Sequence, residues 1–259
     1  MDRGMSNLAE GGVSVLRAGA AGGAGARQRS LSGAAVPPGA GDAAERRLLE
    51  RVCARCAELI SEACRYSSVP PEFLGALVAN ESGGNPQALR FEPAVYRHLK
   101  ALAEGKRPTY AGFSRQGLEE ELAEMLHPKA DSFHEVFLTG PFRVGHAREL
   151  AASRDEALRE LATSWGLTQI MGYHLVGRKG TVRDLLEPRF HFRLGLELLA
   201  QFAERYQLDL AREFAEMFRC WNTGQPYGPP HGPPTYDPNY VENGLRRMAI
   251  WIRLQEESC

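Results

Sequence analysis

Hydrophobic residues recur at three- and four-residue steps through most of the chain after Asp42, and this spacing predicts a mostly α-helical protein. The first apolar stripe is made of Leu48, Leu49, Val52, Cys53, Cys56, Leu59, Ile60 and Cys64. Residues 68–71 end this helix and begin the next, because prolines are tolerated in a first helical turn. Gly83 and Gly84 then predict the end of the second helix, so Glu81 falls in its last turn.

Five further stretches show the same spacing and are rich in good helix formers. They are residues 115–127, 145–163, 181–206, 209–221 and 238–257. Alternation typical of strands is rare, and its best example, residues 89–96, predicts a contribution to a short β-hairpin. Residues 225–238 contain six prolines and predict a loop.

The first 44 residues differ in composition from the remainder, which predicts a disordered arm (1–44) followed by one domain (45–259). Of these 44 residues, 21 are Gly or Ala and none is aromatic, so the arm offers little apolar surface to bury. Its only apolar patch is interrupted by Arg17 and glycines, which is a poor match to a secretory signal peptide. We therefore expect synthesis in the cytoplasm, with the route of export or release left open.

Charge and cysteine content exclude several classes of protein. The 31 Lys and Arg residues nearly balance the 32 Asp and Glu residues, so no overall field favours nucleic acid or anionic lipid. No apolar run approaches the roughly 18 residues that a membrane span requires. Cys53 and Cys56 lie on an apolar stripe without a second such pair, so we expect no metal site there. We expect no organic cofactor either. The oligomeric state stays open.

The first segment with unusual residue choices surrounds Glu81, between Asn80 and Pro86. A carboxylate at the end of an apolar helix is partly desolvated and close to the negative helix terminus, and both effects raise its pKa. A carboxylic acid that keeps its proton near neutral pH can act as a general acid on a glycosidic oxygen. The alternative is an ordinary solvated glutamate at a helix end.

Two other segments carry polar residues in apolar surroundings. In residues 164–172, Gly166 and Gly172 flank Thr168 and Gln169, which favours either recognition of a sugar amide or a packed turn. The third segment contains Trp221 and Asn222 before Gly224, followed by Tyr227, Tyr236 and Tyr240. Aromatic rings and an amide suit a carbohydrate cleft, whereas a capped helix end with core aromatics is the plainer interpretation.

In this order, the three segments resemble the lytic transglycosylase SLT group of the lysozyme-like superfamily. The similarity is greater to its phage-endolysin-like N-acetylmuramidase branch, through residues 89–99 and 162–172. The resemblance covers about residues 65–255. It implies a lysozyme-like (SLT or goose-type) fold and cleavage of the β-1,4 bond between N-acetylmuramic acid and N-acetylglucosamine in peptidoglycan, at the bacterial cell wall.

The resemblance also implies roles for individual residues. Glu81 matches the catalytic acid/base, and Ser82 matches the serine that orients this carboxylate or the substrate. The segment with Gly166, Thr168 and Gln169 matches the loop that contacts the sugar. In the third segment, Asn222 matches the cleft asparagine, with Trp221 beside it as a further candidate for binding substrate, and Tyr240 matches the tyrosine that hydrogen-bonds near the glutamate.

The chain departs from the family pattern at three points. Thr168 stands where the family commonly has a methionine, and Cys220-Trp221 stands where it has a small residue followed by a tyrosine. The span from Ser82 to Gly166 is also longer than in typical SLT domains.

The product depends on the number of carboxylates at the site. A lytic transglycosylase needs only the glutamate and leaves 1,6-anhydro ends, as the resemblance implies, whereas a hydrolysing muramidase uses a second group to position water. Glu92 is the nearest candidate, although an ion pair with Arg90 or Arg97 is the commoner role of such a residue. A non-catalytic glycan-binding or assembly protein, or cleavage of chitin-type polymers, also remains open.

Overall fold

The computed structural model describes residues 40–126 and 153–257. Helices predominate there, which confirms the mostly α class. They are α1 (Ala40–Cys64), α2 (Pro71–Glu81), α3 (Pro93–Ala103), α4 (Arg115–Leu126), α5 (Arg154–Leu161), α6 (Pro188–Tyr206), α7 (Phe214–Thr223) and α8 (Tyr240–Glu257). Residues 1–39 of the predicted arm lie outside the described residues. The predicted domain boundary at residue 45 falls inside α1. None of these helices combines the length and apolar character needed to cross a membrane.

Helix α2 is the central element of the core. Its residues from Phe73 to Ala79 are all buried, and it packs against α1 and α8. A helix that is apolar on every side has this position because no face is left for water. Gly75 permits the closest approach: a Cβ there would lie 2.4 Å from the Trp251 ring of α8. The C-terminal end of α2, and Glu81 with it, is therefore fixed by the packing of two neighbouring helices.

A small antiparallel sheet lies in the order β1 (Leu89–Phe91), β4 (Thr163–Trp165) and β5 (Ile170–Met171). Leu89 pairs with Trp165, and Ser164 pairs with Met171. A separate hairpin joins β2 (Thr109–Tyr110) to β3 (Phe113–Ser114). The β4–β5 turn thus comes from the second unusual segment.

The predicted strand over residues 89–96 is correct only as far as Phe91. Pro93 begins α3, so Tyr96 lies in a helix. Proline suits a first helical turn because its missing N–H has no partner to lose there. The short strand ends at the same place, where the Glu92 N–H donates to the carbonyl oxygen of Ala162 at 2.9 Å.

Three predicted helix boundaries also differ from the structure. Residues 181–206 form a 3₁₀ helix (Val182–Leu186) and then α6, whose start is capped by the Glu187 carboxylate accepting from the Phe190 N–H at 2.6 Å. α7 begins at residue 214 because Asp209 turns its side chain onto the Ala211 N–H instead of continuing a helix. Of residues 145–163, only 154–161 form α5: Thr163 pairs in the sheet, and 145–152 lie outside the described residues. Residues 225–238 contain neither helix nor strand, as predicted.

Candidate functional site

Glu81 is the last residue of α2, as the sequence predicts, and its side chain is half-buried. The Tyr240 hydroxyl of α8 donates a hydrogen bond to Glu81 Oε1. Tyr240 is itself buried, with its ring edge-on to Phe218 at a centroid distance of 6.2 Å. Because the donor hydroxyl belongs to a buried ring, it restricts the orientation of the carboxyl group of Glu81 through a tertiary contact.

A second set of contacts ties the same two helices together. Asn80 Nδ2 donates to the Tyr240 carbonyl oxygen at 3.1 Å, and Arg247 donates to Asn80 Oδ1 at 2.6 Å. Arg247 also pairs with Glu45 of α1 at 2.7 Å, and this hydrogen bond holds the pKa of the Glu45 carboxyl below its usual value. Neither Asn80 nor Arg247 was predicted to belong to the site. The seven-residue step from Tyr240 to Arg247, which is about two helical turns on one face of α8, is the signal that identifies the arginine.

Ser82 connects Glu81 to the sheet. Its hydroxyl donates to the Leu167 carbonyl oxygen at 2.6 Å, across a sequence separation of 85 residues. Leu167 belongs to the β4–β5 turn. The first and second unusual segments therefore meet directly beside the carboxylate.

The β4–β5 turn is held together by Gln169. Its side-chain Nε2 donates to the carbonyl oxygens of Ala88 at 3.1 Å and Gly166 at 2.9 Å, and its Oε1 accepts from Ser164 Oγ at 2.8 Å. Gly166 has a φ of +70°, and a Cβ there would lie 2.5 Å from the Leu185 carbonyl oxygen. The structure thus favours the packed turn for these residues: the amide and the glycine are engaged within the fold.

Trp221 and His191 hold the same turn from a different side, both through Thr168. Thr168 is 1% exposed, and its carbonyl oxygen accepts from Trp221 Nε1 at 2.9 Å. His191 of α6 lies 2.9 Å from the Thr168 backbone nitrogen and was missed by the sequence analysis. A histidine 23 residues from its partner gives no local signal, and only the packing of α6 on the turn reveals it.

Asn222 combines burial with unused hydrogen-bonding capacity. Its Oδ1 accepts from the Tyr236 N–H at 3.2 Å, while Nδ2 has no hydrogen-bond partner among the described residues, although the side chain is only 4% exposed. Buried amide donors are usually satisfied, so this one is an exception among the described residues.

Glu92 lies at the start of α3 and is buried. The Arg90 guanidinium donates to its Oε1, with the Arg90 Nε at 2.6 Å. Of the two roles that the sequence left open for Glu92, an ion pair or the positioning of a water, the structure shows the ion pair, with Arg90.

Hydrogen bonds therefore pair Tyr240 with Glu81 and tie Ser82 and Trp221 to the 166–169 turn, and the two sets meet because Glu81 and Ser82 are neighbours in the chain. Among residues 40–126 and 153–257, no group of three or more His, Cys, Asp or Glu side chains is arranged to hold a metal ion. Comparison with known proteins returned no matching family model, no matching curated protein and no matching solved structure.

Proposed function

We propose that this protein cleaves the β-1,4 bond between N-acetylmuramic acid and N-acetylglucosamine in peptidoglycan at the bacterial cell wall, with Glu81 as the general acid and base. The observation that carries the proposal is the hydrogen bond from the buried Tyr240 hydroxyl to the carboxyl group of Glu81. The resemblance assigns these two positions to the acid/base and its tyrosine from sequence order alone. Their direct contact across 159 residues is independent support for it.

The convergence of three separate segments supports the same proposal. The lysozyme-like fold that the resemblance implies requires the glutamate motif, the glycine-flanked segment and the tyrosine to share one site. In this chain Ser82 reaches the Leu167 carbonyl oxygen, and Trp221 reaches the Thr168 carbonyl oxygen.

In the proposed reaction, the protonated carboxyl of Glu81 donates its proton to the glycosidic oxygen as the bond to the muramyl C1 breaks. The acetamido group of the substrate stabilises the positive charge that develops at C1. The Glu81 carboxylate then takes the proton of the C6 hydroxyl, and the C6 oxygen bonds to C1 to close a 1,6-anhydro ring. The carboxyl group ends as it began, protonated.

We favour this non-hydrolytic product because the second carboxylate that a muramidase would use is engaged elsewhere. Glu92 forms an ion pair with Arg90. The Arg90 guanidinium donates to Oε1 of this carboxylate, so that oxygen is already engaged and is not available to orient a water. A muramidase would leave a reducing muramyl end instead.

The experiment that tests the proposal is mass spectrometry of muropeptides released from purified peptidoglycan by the wild type and by Glu81→Gln. The variant keeps the size of the side chain and an oxygen for Tyr240, but it cannot donate or accept the catalytic proton. We expect anhydro-muramyl ends from the wild type and none from the variant. Circular dichroism of both proteins provides the control for folding.

Each other result contradicts a defined part of the proposal. Reducing ends that vanish in Glu81→Gln would identify a hydrolysing muramidase. Products that persist in the variant would exclude Glu81 as the catalyst. Binding of folded wild-type protein to the wall without any product would favour a glycan-binding or assembly protein, and release of oligosaccharides from chitin alone would redirect the substrate assignment.

A further inference from the structure

His191 is a buried polar residue that joins α6 to the β4–β5 turn, and the proposed reaction does not use it. The side chain is 0% exposed. Its Nε2 lies 2.9 Å from the backbone nitrogen of Thr168 and 2.8 Å from the Thr168 hydroxyl oxygen. Its Nδ1 lies 2.8 Å from the carbonyl oxygen of Leu185, in the 3₁₀ helix that precedes α6.

These contacts define the protonation of the imidazole ring. A backbone N–H can only donate, so Nε2 must accept from Thr168 and carries no proton. A carbonyl oxygen can only accept, so Nδ1 carries the proton and donates it to Leu185. The ring is therefore neutral, and burial lowers the pKa of His191 to about 4.

The turn that His191 holds is the one that contacts the residue next to Glu81. Thr168 follows Leu167, whose carbonyl oxygen accepts the hydrogen bond of Ser82 at 2.6 Å. On its other side Thr168 accepts from Trp221. Without His191 the turn keeps its bonds to Trp221 and through Gln169 but loses its tie to α6, so the Leu167 carbonyl oxygen can shift relative to Ser82.

We propose that His191 is a positioning residue, which acts through its Nε2 bond to Thr168 to hold the 166–169 turn against Ser82 and thereby orient Glu81. The proposal rests on the proposed function of Glu81.

Two substitutions separate the two contacts of the ring. In His191→Asn, the amide nitrogen can replace Nδ1 and keep the bond to Leu185, but the side chain is too short to reach Thr168. In His191→Gln, the longer side chain can place its carbonyl oxygen near the position of Nε2 and accept from Thr168, while the bond to Leu185 is lost. Leu118→Ala, in the core of α4, which packs on α3 and α5, controls for loss of stability alone.

The measurement is the initial rate of muropeptide release over a range of peptidoglycan concentrations, together with the Tm of each variant. We expect His191→Asn to lower kcat roughly 10- to 100-fold with KM changed less than about threefold, since misplacement of a catalytic group by about 1 Å costs up to about 100-fold. We expect His191→Gln to restore kcat to within about threefold of the wild type, and Leu118→Ala to lower Tm without lowering kcat at 25 °C.

Equal kcat values in the wild type and His191→Asn would overturn the positioning role. So would equal losses of kcat in His191→Asn and His191→Gln, because only one of them removes the bond to Thr168. If His191→Asn does not fold, His191→Gln decides the question. A kcat above one third of the wild-type value supports the proposal, and a lower kcat overturns it. A wild type that releases no muropeptides would overturn the proposed function and this inference together, whereas an active wild type isolates the inference.

Discussion

The neutral, buried imidazole of His191 predicts that the protein loses stability in mild acid. In the fold the pKa of His191 is about 4, and in the unfolded chain a histidine has a pKa of about 6.5. Between these values the unfolded state binds a proton that the folded state does not bind. The stabilising contribution is therefore complete above pH 6.5 and is lost progressively as the pH falls to about 4.

The size of this effect follows from the two pKa values. A difference of about 2.5 pH units, at about 1.4 kcal/mol per unit, amounts to roughly 3 kcal/mol in the free energy of unfolding. Most of it, about 2 kcal/mol, falls between pH 7 and pH 4.5. This is a large part of the total stability of a typical domain, about 5–15 kcal/mol.

Urea unfolding at 25 °C, followed by circular dichroism at pH 7, 6, 5 and 4.5, measures the effect. His191→Gln is the matched variant, because glutamine does not titrate. Other groups, including His98 and His174, whose pKa values are lowered mainly by burial, also respond to pH in both proteins. We therefore expect the stability advantage of the wild type over the variant to shrink by about 2 kcal/mol between pH 7 and pH 4.5. Parallel pH profiles for the two proteins would refute the reasoning.

Three further predictions concern the proposed site and its support. Tyr240→Phe removes the donor to Glu81, and we expect roughly 10- to 100-fold slower muropeptide release with little change in overall fold; an unchanged rate would show that the hydroxyl is dispensable. Gly166→Ala places a Cβ 2.5 Å from a backbone oxygen at positive φ, so we expect more than about 2 kcal/mol of destabilisation in urea. Gly112→Ala, also at positive φ but with nothing within 4 Å of its Cβ, is the control, and we expect it to cost about 1 kcal/mol; equal effects of the two would exclude the close contact. Glu92→Gln removes the charge of the other candidate carboxylate, and we expect muropeptide release at a rate within about threefold of the wild type; complete loss of release from a folded variant would instead make Glu92 a catalytic group.

Much of the local structure was predictable from residue periodicity. The apolar stripe of α1, the short apolar α2 and the helical part of 181–206 all appear where three- and four-residue steps occur. The reason is that helix periodicity is a local property, written within a few residues of each position. Prolines and glycines mark where helices begin and end, so the place of Glu81 in the last turn of α2 also follows from neighbouring residues.

The predictions failed where a distant partner overrides local preference. Thr163 extends a helical pattern, yet it pairs in a strand with Phe91, 72 positions earlier in the chain. Asp209 fits the helical spacing, but its carboxylate satisfies a backbone N–H outside the helix. In both cases the competing hydrogen bond leaves no trace in the periodicity of the hydrophobic residues.

The candidate site shows the same division. Sequence order and residue type singled out Glu81, Ser82, Gln169 and Tyr240, but they could not say which side chains face one another. The tertiary structure joins the Tyr240 hydroxyl to Glu81 and turns the Gln169 amide inward to close its own loop. It also brings in His191, whose pairing with Thr168 depends on how α6 packs on the sheet. Which partner a polar side chain finds is decided by contacts between elements far apart in the chain, and a one-dimensional pattern does not record these contacts.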